Sequence, residues 1–83
     1  GFLEVVPSTI QVCALKKSQN GTGWILRLCN PCEKTAACAI ESKGISSVTK
    51  VTLEEIPQEE VAINDGKITL DIGPKKIVSL LLE

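Results

Sequence analysis

The sequence contains no histidine, no methionine and no tyrosine, and its only aromatic residues are Phe2 and Trp24. Without histidine there is no Ser-His or Cys-His pair to activate a nucleophile and no imidazole to bind a metal. Two aromatics give little from which to build a stacking platform for sugar rings. Trp24 shares its alternation phase with Leu26 and Leu28 and is expected in the core. Nine basic and ten acidic residues give a net charge of -1. The lysines form no block and are not interleaved with aromatics, so no concentrated positive field exists to displace counterions, and a nucleic acid partner is not expected. No apolar run approaches the roughly 20 residues that cross a bilayer. The longest, "IVSLLL", has the length of a strand, and no membrane partner is expected. No signal peptide is read. A chain without methionine that opens on "GFLEVV" reads as an excised piece of a longer gene product.

What is present is β-branched and leucine-rich. Its 83 residues are 43% hydrophobic, suited to a single small domain of sheets packed face to face. A domain of this length buries only about 60% of the surface its unfolded chain exposes, which predicts modest stability.

Period-2 alternation recurs along the chain and helical periodicity does not. "TIQVCALKK" sets Ile10, Val12 and Ala14 against Gln11, Cys13 and Leu15. "SQNGTG" reads as a hairpin loop. "WILRLC" follows, with Trp24, Leu26 and Leu28 on one face and Ile25, Arg27 and Cys29 on the other. "NPCEK" is a turn, because Pro31 has no N–H to give to a ladder. "TAACAIES" is a small-residue strand. "GISSVTKVTLEEI" is strand-like, with a phase break at Val48 to Val51 that suggests a bulge, and "PQEE" ends it. "VAIN" is a short strand and "NDG" a two-residue hairpin turn. "KITLDI" places Ile68, Leu70 and Ile72 inward. "GPKK" turns the chain into "IVSLLLE", with Ile77 expected inward. The sum is about seven or eight short strands at roughly ten-residue intervals, an all-β antiparallel sandwich. "FLEVV" is expected either to pair at an edge or to pair with a part of the parent chain outside this sequence.

The chemistry-bearing residues are few. Cys13, Cys29, Cys32 and Cys38 are spaced C-x15-C-x2-C-x5-C, whereas four-cysteine zinc sites usually show two tight knuckles. Cys29 and Cys38, on consecutive strands, are expected to be possible neighbours. A disulfide framework and a helix-assisted redox pair both fit less well than free cysteines packed as small hydrophobes in a reducing compartment. A small zinc-binding module on the four cysteines stands as an alternative. In "LEEIPQEE", Glu54, Glu55, Glu59 and Glu60 read as a solvated acidic turn rather than a pair facing each other across a sugar. Arg27 lies mid-strand between apolar residues, where it caps the sandwich, pairs with an acid or meets a neighbouring domain.

The first hairpin, "VCALKKSQNGTGWILRLCNP", resembles the C-terminal region of glycoside hydrolase family 38, the α-mannosidases. The likeness rests on Ala14, Leu15 and Lys16, then Ile25, Leu26, Arg27, Leu28 and Asn30. It continues through "VTKVTLEEI" and the closing "ITLDIGPKKIVSLLLE", with departures at Cys29, Lys76 and Ser79. The resemblance implies a C-terminal β-sandwich, residues 1–83, belonging to a large cytoplasmic enzyme that cleaves α-mannosidic bonds. It implies that the nucleophilic Asp and a zinc ion belong to a separate catalytic barrel, so this chain holds no cofactor and no catalytic or sugar-binding residue. The partner it implies is the rest of the same polypeptide; from their places in the first hairpin, Lys16, Asn20, Arg27 and Asn30 are read as possible contacts with it. The alternative from another class is an Ig-like or fibronectin-like adhesion module with an oxidised pair such as Cys29–Cys38.

Overall fold

Alternating side chains make each strand two-faced, and the chain pairs eight strands so that the apolar faces meet. The computed structural model describes residues 3–19 and 21–83. Its strands are β1 (Leu3–Val6), β2 (Gln11–Lys17), β3 (Trp24–Cys29), β4 (Ala36–Ser42), β5 (Val48–Val51), β6 (Pro57–Val61), β7 (Lys67–Ile72) and β8 (Ile77–Leu82). They form a three-stranded sheet, β1-β4-β7, and a five-stranded sheet, β2-β3-β8-β5-β6, with every pairing antiparallel. The described residues include no helix, and the fold is the expected all-β sandwich.

The core lies between the sheets. Leu26, Leu28, Val48, Val78, Leu80 and Leu82 from the larger sheet meet Cys38, Ile40, Ile68 and Ile72 from the smaller, with Ile10 joining from the loop after β1. Burying each such Val, Ile or Leu stabilises the fold by about 1.5–3 kcal/mol. "KITLDI" obeys its pattern, with Ile68 and Ile72 buried and Lys67, Thr69 and Asp71 outward. Asp65 and Gly66 both adopt positive φ between the Asn64–Lys67 bridge, as an NDG hairpin turn requires. The edge pairing expected of the N-terminal strand is seen in β1 against β4.

Several local expectations fail for identifiable reasons. β2 and β3 slip register between Val12 and Ala14, so Cys13 is an extra residue in a bulge. The slip moves Leu15 onto the face of Val12, reversing the phase read from the sequence. Ile77 pairs with Cys29 on the outer face and is exposed, while Val78, Leu80 and Leu82 point inward. β5 ends at Val51. Thr52 to Ile56 is a hairpin loop closed by Thr52 N–H to Ile56 O at 2.9 Å and Glu55 N–H to Thr52 O at 2.9 Å. "PQEE" is therefore not a terminator but part of β6. Of "VAIN", only Val61 lies in a strand.

The two sheets differ in width. With strands about 4.8 Å apart, three strands span roughly 10 Å and five span roughly 19 Å. The smaller sheet is therefore narrower than the inner face of the larger sheet. One row across that face shows the consequence: Leu15, Leu26, Leu80, Lys50 and Glu59 are successive cross-strand partners. Leu26 and Leu80 are fully buried, whereas Leu15 at one end is 39% exposed. At the other end Lys50 and Glu59 form an ion pair at 3.9 Å.

Candidate functional site

The cysteines separate. Cys13, at the bulge, and Cys29 are joined in a disulfide with Cα atoms 6.3 Å apart, an ordinary span for such a bond. Cys32 is free and exposed in the loop after β3, and Cys38 is free and buried. Burial pushes the Cys38 thiol pKa up, because the low-dielectric interior disfavours the thiolate. The expected free state therefore holds for Cys32 and Cys38 and not for Cys13 and Cys29. The possible Cys29–Cys38 neighbourhood fails because Cys29 lies with Ile77 on the outer face of the larger sheet, where it is bonded to Cys13, whereas Cys38 points from the smaller sheet into the core. Among the described residues no three His, Cys, Asp or Glu side chains are grouped to hold a metal ion, and the four sulfurs do not form a zinc site.

Asn30 is 1% exposed. Its Nδ2 donates to the carbonyls of Lys34 at 2.9 Å, Ile72 at 2.9 Å and Gly73 at 3.1 Å, and its Oδ1 accepts the Cys32 N–H at 3.0 Å. Expected at an interdomain contact, it instead ties the loop after β3 to the end of β7 inside the domain. Arg27 donates through Nε to Ser79 Oγ at 3.3 Å, and Ser79 is itself buried. Asn20 lies outside the described residues.

The acidic segment is not one solvated turn. Glu55, held at a φ of 67°, has a side chain only 9% exposed. Its Oε1 accepts the Gln19 N–H at 2.8 Å, and its Oε2 lies 3.6 Å from Lys16 Nζ. β8 and β3 stand between β5 and β2, so the carboxylate reaches over the outer face of those strands. Ile25 and Val51 are buried yet lie outside the main core cluster; they are the apolar outer-face residues beneath this strap. Lys16 is thereby partly engaged within the domain.

Two depressions lie on the outer face of the smaller sheet. One of about 310 Å³ is floored by Ala37 and Ala39 beside Thr69 and Asp71. One of about 90 Å³ adjoins Glu4, Glu41 and Lys67, which are cross-strand neighbours. Lys67 pairs with Glu41 at 3.8 Å, and all three are exposed. Neither depression combines a desolvated acid with an aromatic wall.

The remaining feature is apolar. Val12 is 49% exposed, Leu15 39% and Trp24 38%. Val12 and Leu15 share the inner face of β2, and Trp24 on β3 is cross-strand to Lys17 and diagonal to Leu15; Lys17 Nζ sits 4.7 Å from the Trp24 ring centroid. Trp24 lies on the predicted face, but it is partly exposed rather than in the core. The pattern "TIQVCALKK" concealed this strip, because only the bulge brings Leu15 beside Val12.

Fold and site together define a two-sheet antiparallel β-sandwich domain. The family model of the glycosyl hydrolases family 38 C-terminal beta sandwich domain matches residues 9–80. The chain belongs to that family, as its first hairpin suggested. No curated protein and no solved structure matches it.

Proposed function

We propose that this chain is the accessory C-terminal domain of an α-mannosidase and that it braces the catalytic region of the same polypeptide. The observation that carries the reading is the family match over residues 9–80. The lack of histidine and the scattered cysteines agree with it. On this reading glycosidic cleavage, the nucleophilic carboxylate and any zinc belong to the catalytic region, and this domain supplies a rigid surface. Antiparallel sheets with a dry core suit that task, because their faces keep a fixed shape.

The experiment is turnover of an aryl α-mannoside by the full-length polypeptide, by the same polypeptide lacking residues 1–83, and by the 83-residue chain alone. The full-length protein is expected to hydrolyse it, the truncated one to lose solubility or activity, and the isolated chain to be inert. Hydrolysis by the isolated chain, or a truncated enzyme that remains soluble and fully active, overturns the proposal.

A further inference from the structure

Of the chain's three asparagines, one opens an acceptor triplet. Asn30 precedes Pro31 and is buried. Asn64 is followed by Asp65 and Gly66, so no hydroxyl stands two residues on. Asn20-Gly21-Thr22 has the form Asn-x-Thr with x other than proline. That triplet accepts N-linked oligosaccharide in the surface loops of secreted proteins. It falls in the loop between β2 and β3.

We propose that Asn20 is an N-glycosylation site, and that the polypeptide carrying this domain passes through an oxidising, glycosylating compartment instead of the cytoplasm expected above. The donor is a lipid-diphosphate-linked oligosaccharide. The bond from its anomeric carbon to the diphosphate oxygen breaks, and a bond from that carbon to Asn20 Nδ2 forms. Nδ2 gives up one proton and the lipid diphosphate leaves; nothing is oxidised or reduced. The proposal goes beyond the accessory-domain reading and does not depend on it.

Two observations independent of the triplet support it. The first is the Cys13–Cys29 disulfide. Such bonds form and persist in the secretory pathway and outside the cell and are rare in the cytosol, so the sulfur chemistry and the acceptor triplet point to the same compartment. The second is space at the loop. Gln19, Gly21 and Thr22 are exposed, and a Cβ added at Gly21 would meet nothing within 4 Å. Hydrogen bonds from Gly21 N–H to Ser18 O at 3.1 Å and from Ser18 N–H to Gly23 O at 3.2 Å close the loop without any contribution from the core. In the folded domain the Thr22 hydroxyl donates to the Glu83 carboxylate at 3.1 Å. Transfer therefore takes place on the emerging chain, before the residue after β8 has reached the hairpin.

The test is mass spectrometry of the tryptic peptide 18–27 from the full-length polypeptide, expressed in eukaryotic cells with its own N-terminal sequence. The peptide is expected to carry a glycan built on N-acetylhexosamine, removed by an N-glycosidase with uptake of heavy oxygen at Asn20. Asn20→Gln and Thr22→Ala should abolish the modification, and Thr22→Ser should retain it. A peptide recovered wholly unmodified overturns the proposal, as does a glycan that persists in Thr22→Ala. Alkylation of thiols at the moment of lysis gives a second readout: Cys13 and Cys29 should resist the reagent, and their labelling in the native cell overturns the assigned compartment.

Discussion

The Glu55 carboxylate lies 3.6 Å from the Lys16 ammonium, although their strands are separated by two others and by roughly 14 Å of sheet. Glu55 reaches this position from a left-handed backbone conformation, which costs a non-glycine residue about 1–2 kcal/mol. The hairpin loop after β5 thus serves as a strap over Ile25 and Val51.

Glu55→Ala and Glu55→Gly should therefore differ. Both lose the hydrogen bond to Gln19, a charge-assisted contact contributing about 1.5–3 kcal/mol; the ion pair itself adds little, because Lys16 is 48% exposed. Glycine relieves the backbone conformation and alanine does not. Urea denaturation should rank the proteins wild type, Glu55→Gly, Glu55→Ala, with about 1 kcal/mol between the variants. Equal stability of all three would show that the strap contributes nothing.

Asn30 holds two loops together with buried hydrogen bonds. Asn30→Ala should destabilise by about 2–4 kcal/mol, since it leaves buried carbonyls and an N–H without partners. Asn30→Asp should be worse, because a carboxylate would face the carbonyls of Ile72 and Gly73. A loss under about 0.5 kcal/mol, the scale of a surface change, would contradict a structural role.

Two glycines in the first hairpin give a matched pair. Gly21 and Gly23 both have positive φ, but a Cβ at Gly21 meets open space whereas one at Gly23 lands on the Leu82 carbonyl oxygen and the Glu83 side chain. Gly21→Ala should cost about 1 kcal/mol. Gly23→Ala should cost about 2–3 kcal/mol, because β8 must shift away. Thermal melts of the two variants decide it; indistinguishable values would remove the close approach.

Thiol chemistry separates the four cysteines. Unreduced, unfolded protein should titrate two thiols, Cys32 and Cys38, and the native protein only Cys32. Four titrating thiols would mean that the Cys13–Cys29 bond does not form. With a sequence separation of 16, reducing it should cost about 2–3 kcal/mol.

The raised Cys38 pKa sets a direction with pH. The folded state holds the proton more tightly than the unfolded state, whose thiol titrates at about 8.5. Its contribution is complete below that pH and is lost as pH rises through the folded value. In a Cys32→Ser background, Cys38→Val should lessen the alkaline fall in urea midpoint. An identical fall with and without the Cys38 thiol would refute the assignment.

Much of the fold was legible in alternation. Ile68, Leu70 and Ile72, or Leu26 and Leu28, declare a buried face within a few residues, and Asp65-Gly66 declares a turn. The exposed apolar strip on β2 was not legible. Leu15 reads as belonging with Cys13, and only the bulge places it beside Val12. Glu55 reads as one of several surface glutamates, and only the strap buries it.

The sequence by itself determined that the chain is all-β, where most turns fall and which residues are apolar on one side, because side-chain alternation and turn chemistry are local properties. Tertiary structure alone decided that β3 and β4 part into different sheets, that Cys13 meets Cys29, and that three strands stack on five. Those outcomes depend on the relative placement of distant strands, which no local period encodes.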